Sequence, residues 1–171
     1  MKHTELFPPF RIEMEAGRPG ARFDREKGMV LTDDMLMALY DGNRLKVVSF
    51  SPANCLEGEI EKYVAYLAKD EVPFDLNKAA AYIGPALSFS SFPIDDRTAE
   101  AFIETAFGSV KGSDGTKRYL DMKVLAALIL EKAGVDPRRI NISPLCVNEA
   151  DGILTVDFDS GLRNLYRVEI I

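Results

Sequence analysis

The sequence predicts a single layered α/β (α+β) domain with mixed β-sheets and about three helices. Two observations support this fold class. Apolar segments with the character of strands alternate with segments of helical period along the chain. The 171 residues match the length of one domain, and a composition that is 47% hydrophobic and 28% charged is typical of a protein with a buried core.

The N-terminal 28 residues are predicted to form a short strand and an irregular arm ahead of an α/β domain at 29–171. The strand spans residues 10–14. Gly17, Pro19 and Gly20 follow it, and these residue types interrupt regular structure. We therefore expect an irregular surface segment here.

Residues 35–51 have the pattern of a β-hairpin. The continuous apolar run at 35–40 is typical of a strand buried on both faces. Asp41, Gly42 and Asn43 favour a turn, and residues 46–51 supply the second strand.

Three helices are predicted after the hairpin. The first begins at Asn54, a favourable N-cap. The second is capped by Asp95 or Asp96, and the third begins at Asp121 and ends at Gly134. The residues expected to face the core are Ala99, Phe102, Ile103 and Ala106 in the second helix, and Val124, Leu125, Leu128 and Ile129 in the third.

Further strands are predicted at residues 79–83, 139–143, 153–158 and 164–170. Because these strands alternate with the helices, the sequence indicates mixed sheets covered by helices.

The charge and hydropathy of the chain exclude several function classes. The 21 Lys and Arg residues against 27 Asp and Glu give a net charge of −6, so the basic face that nucleic acids or anionic membranes require is not expected. The longest apolar run, residues 124–130, is too short to cross a bilayer. Residues 1–10 lack the apolar core of a signal peptide, and we expect a cytoplasmic protein.

Metal ligands and nucleophiles are scarce. The chain has one His, His3, and two Cys, Cys55 and Cys146. A three-ligand zinc site of His and Cys would need all of them, and a catalytic triad would need His3. Because His3 lies where chains are usually loose, we expect no metal site and no cofactor.

Cys55 is the strongest nucleophile candidate in the sequence. It lies in the first turn of the first predicted helix, where the helix dipole lowers a thiol pKa. On this interpretation Cys55 reacts faster than Cys146 with an alkylating reagent. The alternative is a small apolar residue packed under the helix.

Asp33 and Asp34 are either an acid–base pair or a cap of the turn before the hairpin. Neighbouring carboxylates push their pKa values apart, as acid–base chemistry requires. Adjacent strand residues point to opposite faces, however, which favours the turn.

Three stretches of the sequence carry a family resemblance. Residues 81–88 are similar to a segment with the pattern IGP-C-I, residues 119–140 to an LDL helix followed by GV, and residues 145–163 to a CT turn, a strand and a GR ending. Together they resemble the laccase-domain family, also called YfiH-like proteins or multicopper polyphenol oxidases. Several members are described as purine nucleoside phosphorylases. The resemblance implies a YfiH-like fold.

The resemblance also implies where a metal would bind, and the sequence departs from the family there. Asp34 keeps the Asp of the family's TADC segment, but Met35 replaces its Cys ligand. Pro52 stands at the His position of the family's HAGWRG segment, and the QVHG segment has no match. A thioether is a poor ligand for zinc or Cu(II), and proline cannot coordinate.

These residues define a candidate pocket and a function. The pocket comprises Asp34, Ser51, Asn54, Cys55, Cys146 and Arg163. Free helix amides at 51–55 are expected to bind phosphate or sulfate weakly. We expect a family member, monomer or homodimer, that binds a small molecule or anion without catalysis. The alternative is a zinc-dependent purine nucleoside phosphorylase or polyphenol oxidase-like enzyme whose rearranged site uses Cys55, Cys146 and a carboxylate.

Overall fold

Eleven strands and four helices make up the part of the chain that a computed structural model describes. The described residues are 2–17, 28–32, 34–69, 74–87, 92–112, 118–147 and 163–171, without the side chains at positions 16, 31 and 163. The strands are β1 (Lys2–Phe7), β2 (Phe10–Gly17), β3 (Met29–Thr32), β4 (Met35–Tyr40), β5 (Leu45–Phe50), β6 (Ala80–Ile83), β7 (Pro93–Ile94), β8 (Val110–Lys111), β9 (Arg118–Leu120), β10 (Ile140–Ile142) and β11 (Arg163–Ile170). The helices are α1 (Pro52–Leu56), α2 (Glu59–Lys69), α3 (Asp96–Thr105) and α4 (Met122–Lys132).

The strands form three sheets within the described residues. The first sheet is antiparallel with the order β1-β2-β11-β3, so residues 2–17 share a sheet with the C-terminal strand. The second sheet has the order β10-β6-β4-β5, in which β10 runs parallel to β6 and the other pairs are antiparallel. A small third sheet has the order β7-β9-β8. The predicted mixed α/β fold class is confirmed.

The second sheet is the middle layer of the molecule. In β4, Met35, Met37 and Leu39 pack with the helices, while Leu36 and Ala38 pack against the first sheet. Successive strand residues point to opposite faces, so a fully apolar run is buried on both sides. The prediction for residues 35–40 is therefore confirmed.

The hairpin of β4 and β5 also forms as predicted. Met35 pairs with Phe50, and Tyr40 pairs with Leu45. The Asp41 carboxylate accepts hydrogen bonds from the backbone N–H groups of residues 43 and 44, each at 2.9 Å. These bonds stabilise the turn.

The first predicted helix differs from the observed one in two ways. It is divided into α1 and α2 at Gly58, whose φ of 75° interrupts the helical backbone, so four helices are present among the described residues instead of about three. Its N-cap is Ser51 and not Asn54. Pro52 occupies the first helical position, which moves the cap to the preceding residue.

The third predicted helix, α4, has the expected ends but a different buried face. The Asp121 carboxylate caps it, and Gly134 follows with a φ of 114°. The buried residues are Met122, Leu125, Ala126 and Leu130, whereas Val124, Leu128 and Ile129 are only partly buried. The helix is apolar nearly all round, so apolar periodicity does not fix which face is inside.

Other predictions have simpler outcomes. Asp95 is the N-cap of α3, as expected, and Ala99 is buried there. No helix in the described ranges is long and apolar enough to cross a membrane. The strand predicted at 153–158 and the residue Asp33 lie outside the described residues.

Candidate functional site

Four strand ends meet along one edge of the second sheet. The carboxyl ends of β5, β6 and β10 lie beside the amino end of β4, because β4 is antiparallel to both of its neighbours and β10 is parallel to β6. Asp34, Ser51 and Cys146 adjoin these strand ends. We call this edge of the second sheet the site edge. Its two ends, at the outer strands β5 and β10, are called the β5 side and the β10 side.

The β5 side contains the corner of residues 51–55. Ser51 and Asn54 form a capping box, in which the Asn54 N–H donates to Ser51 Oγ at 3.1 Å and the Ser51 N–H donates to Asn54 Oδ1 at 2.9 Å. The Cys55 N–H donates to the Ser51 carbonyl, and Pro52 has no N–H. The N–H groups of Ser51, Asn54 and Cys55 are therefore used within the chain, in contrast to the free amides expected at this corner.

Cys55 is a core residue of this corner. Cys55 is 1% exposed and belongs to the cluster of buried apolar residues between the second sheet and the helices. Burial raises the pKa of its thiol to about 12, and the negative charges of Glu61 and Asp34 act in the same direction. Cys55 is therefore the small residue packed under the helix that the alternative interpretation describes, and burial raises its thiol pKa instead of lowering it.

Asp34 and Met35 begin β4 next to this corner. The Asp34 N–H donates to Thr32 Oγ1 at 3.0 Å, which closes a tight bend before the strand. Asp34 is close enough to Cys55 for its negative charge to contribute to the raised pKa of the thiol. The Met35 side chain is buried in the apolar core and offers no open position to a metal.

The structure separates the remaining predicted residues from this group. Because β5 and β10 are three strand spacings apart, their ends are separated by about 14 Å. Cys55 and Cys146 are both free thiols, and they lie beyond the β5 and β10 ends respectively. Arg163 begins β11 in the first sheet, where its backbone pairs with Gly17, and its side chain lies outside the described residues.

A buried carboxylate on the β10 side was not predicted from the sequence. Glu5 of β1 is 7% exposed and points between the two large sheets. Its Oε1 accepts a hydrogen bond from the Ser143 hydroxyl at 2.6 Å, and its Oε2 accepts one from the Tyr82 hydroxyl at 3.1 Å. His3 Nε2 lies 4.0 Å from Glu5 Oε1. We call Glu5, His3, Tyr82, Ser143 and the neighbouring Lys123 the Glu5 cluster.

Lys123 connects the Glu5 cluster to Cys146. Its Nζ donates to the carbonyl oxygens of Ser143 at 2.8 Å and Leu145 at 2.5 Å, and it lies 3.9 Å from Cys146 Sγ. Burial lowers the pKa of Lys123, although Cys146 and nearby carboxylates act in the opposite direction. The arrangement places a partly buried ammonium beside a thiol.

The Glu5 cluster contains hydrogen-bond donors and acceptors held in fixed positions. Burial raises the pKa of Tyr82, as does the adjacent Glu5, so the phenol remains a donor at neutral pH. Half-buried His3 and Lys123 are the groups of the cluster nearest to solvent. Such convergent polar groups orient a small molecule.

One sequence signal could have found Glu5. His3, Glu5 and Phe7 occupy alternate positions of β1, so they share one face, and Phe7 packs from that face against the apolar residues between the two large sheets. A charged residue on that face requires a polar partner.

The structure also allows a test for metal binding. Within the described ranges, no three His, Cys, Asp or Glu side chains are grouped so that they could hold an ion. Met35 and Pro52, at the positions where the family resemblance places ligands, do not fit zinc or Cu(II). The residues present therefore do not match the metal that the resemblance implies.

Comparison with known proteins identifies related sequences and folds. The profile of the family described as multi-copper polyphenol oxidoreductase laccase matches residues 55–152. No curated protein matches the chain in sequence.

Three solved structures have a similar fold. YfiH from Bacillus licheniformis is 16% identical, with a TM-score of 0.65 over 84% of this chain and 57% of that one. YlmD from Geobacillus stearothermophilus is 17% identical, with a TM-score of 0.67 over 83% and 56%. Protein NMB0706 from Neisseria meningitidis is 24% identical, with a TM-score of 0.58 over 82% and 60%. The chain thus spans a little over half the length of these structures.

Proposed function

Because the chain belongs to the multi-copper polyphenol oxidoreductase laccase family, we propose that it is a divergent member that has lost the family's metal chemistry and binds a small molecule without turning it over. The observation that carries this proposal is the corner of residues 51–55. Its Ser51 and Asn54 side chains accept hydrogen bonds from the chain's own backbone in a capping box, and Met35 beside it is buried in the apolar core.

The geometry also argues against a rearranged zinc site. A site that used Cys55, Cys146 and a carboxylate would have to join the two sides of the site edge, about 14 Å apart. Zinc binds thiolates at about 2.3 Å. A thiol with a pKa raised to about 12 is also a poor ligand at neutral pH, because metal ligation requires its deprotonation.

The ligand is proposed to bind on the β10 side of the site edge. There Lys123 and His3 approach solvent from a buried network that fixes their positions. The Lys123 ammonium is held by two backbone carbonyls, and the Glu5 carboxylate is held by two hydroxyls. Preorganised groups of this kind bind a polar molecule with little ordering cost.

The experiment uses the substrate class that the family resemblance implies. Inosine and adenosine are tested with phosphate for phosphorolysis, and a phenol is tested for oxidation with oxygen. We expect no turnover, but we expect one of the nucleosides to raise the melting temperature. That shift should be lost in Lys123→Met and kept in the control Lys69→Met, which changes an exposed lysine.

Each outcome bears on a separate part of the proposal. Phosphorolysis or phenol oxidation by the purified protein would contradict the loss of catalysis. A nucleoside-dependent shift that survives in Lys123→Met would contradict the placement of the ligand, and the absence of any shift would contradict nucleoside binding.

A further inference from the structure

An apolar groove runs between α2 and α4 on the face of the helical layer. Its volume is about 540 Å³. The apolar side chains that line it include Val64, Ala65, Ala68, Leu76, Leu128 and Ile129. An apolar concavity of this kind on a protein surface typically marks a binding site.

An exposed aromatic residue follows the groove lining in the chain. Phe107 is 82% exposed, and its neighbour Ala106 lines the groove. The next residue, Gly108, has a φ of 101°, so the chain turns sharply after Phe107. Leu56, also exposed, lines an adjoining cleft that shares Glu61 and Thr105 with the groove.

Two opposite charges flank the same groove. Glu61 lies on α2 and Lys132 on α4, and both line it. Neither forms a salt bridge within the part of the chain that the structure describes. The groove thus has one acidic and one basic residue in its lining, and an exposed aromatic residue follows Ala106 in the chain.

We propose that this surface binds a second copy of the chain in a two-fold symmetric homodimer. In an isologous interface each surface meets its own copy, so any contact of residue i with residue j occurs twice. Phe107 of each protomer inserts into the groove of the other, and Lys132 of each meets the partner's Glu61. The acidic and the basic residue in the lining give the groove the opposite charges that such pairing with a second copy requires.

The size of the interface sets a further requirement. A stable dimer buries about 1,200–2,000 Å² in total, whereas one aromatic side chain buries roughly 150–250 Å². The two Phe107 side chains supply the centre, and Leu56 and the groove-lining residues of α2 and α4 supply the rim. This inference does not depend on the proposed function.

Sedimentation velocity over a wide range of concentration tests the dimer. We expect the wild-type chain to dimerise and Phe107→Asp to weaken association about 30-fold or more, because a central aromatic is typically a hot spot. Tyr66→Asp is the matched control, since Tyr66 is an exposed aromatic on α2 that does not line the groove. Circular dichroism checks that each variant is folded.

A charge exchange tests the two-fold arrangement. Glu61→Lys and Lys132→Glu should each weaken the dimer, and the double variant should recover it, because the exchange restores both symmetric ion pairs. A wild-type chain that stays monomeric, or a Phe107→Asp variant that dimerises like the wild type, would overturn the proposal. A double variant no better than the single ones would overturn the pairing of the two charges.

Discussion

The hydroxyl of Ser143 donates a hydrogen bond of 2.6 Å to Glu5 Oε1, and these two residues are 138 positions apart in the chain. Glu5 lies on β1, the outer strand of the first sheet, and Ser143 follows β10, the outer strand of the second. The Tyr82 hydroxyl of the neighbouring strand β6 donates to the same carboxylate. A single buried carboxylate thus joins the two large sheets at the site edge.

Removal of this carboxylate should destabilise the fold. Glu5→Ala leaves two buried hydroxyls without their acceptor, and each group left unsatisfied costs about 1–3 kcal/mol. We therefore expect the free energy of unfolding in urea to fall by about 2–4 kcal/mol.

The matched control for this variant is Glu169→Ala. Glu169 is a half-exposed strand residue that pairs with Arg11 at the surface, and its loss should change stability by less than about 1 kcal/mol. Equal stability of Glu5→Ala and the parent would show that the buried hydrogen bonds do not hold the sheets together.

The two thiols should differ in reactivity with an alkylating reagent at neutral pH. Cys146 is only half-buried and lies beside Lys123, whereas Cys55 is buried with a pKa raised to about 12. We expect Cys146 to react at least about tenfold faster, because the thiolate is the reactive species. This order is the reverse of the one that the helix-dipole interpretation gives.

Mass spectrometry of the single variants Cys55→Ser and Cys146→Ser assigns each rate to its thiol. Faster labelling of the thiol that remains in Cys146→Ser would mean that Cys55 is accessible after all. It would also restore the corner of residues 51–55 as a reactive site.

Two leucines on α4 test which face of the helix is buried. Leu125 is 1% exposed, so Leu125→Ala should cost about 2–5 kcal/mol. Leu128 is only partly buried at the groove, and Leu128→Ala should cost clearly less. Urea unfolding at low protein concentration compares the two, and an equal or larger loss for Leu128→Ala would support the face that the sequence predicted.

Local patterns in the sequence were sufficient for much of the fold. The turn at Asp41 to Asn43 and the apolar run before it predict the β4–β5 hairpin, because both signals depend only on neighbouring residues. The helix caps at Asp95 and Asp121 could also be predicted, because each side chain bonds to the N–H group three residues later in the chain. The buried face of α4 was missed because its apolar residues surround the helix.

The site was harder to predict, because its contacts join distant segments. The resemblance and the predicted hairpin place Asp34, Ser51 and Cys55 at one corner, and the structure brings these together. The distance between that corner and Cys146 depends on the order of strands within the sheet, which single strands do not encode. Glu5 meets Ser143 only after both sheets are assembled.

The capping box at Ser51 illustrates a different kind of error. Residues that suggested an anion site form it: the Ser51 hydroxyl accepts from the Asn54 N–H, and the Asn54 side chain accepts from the Ser51 N–H. Whether the N–H groups of the first helical turn can bind a ligand depends on which residue is the N-cap, because the N-cap side chain accepts hydrogen bonds from the same groups.

Metal analysis of protein purified without an affinity tag tests the loss of the family's metal site most directly. Because Met35 is buried in the core and Pro52 cannot coordinate, we predict zinc and copper far below one atom per chain, unchanged in Cys55→Ser and Cys146→Ser. About one tightly held zinc or copper per chain, lost on substitution of either cysteine, would contradict the account.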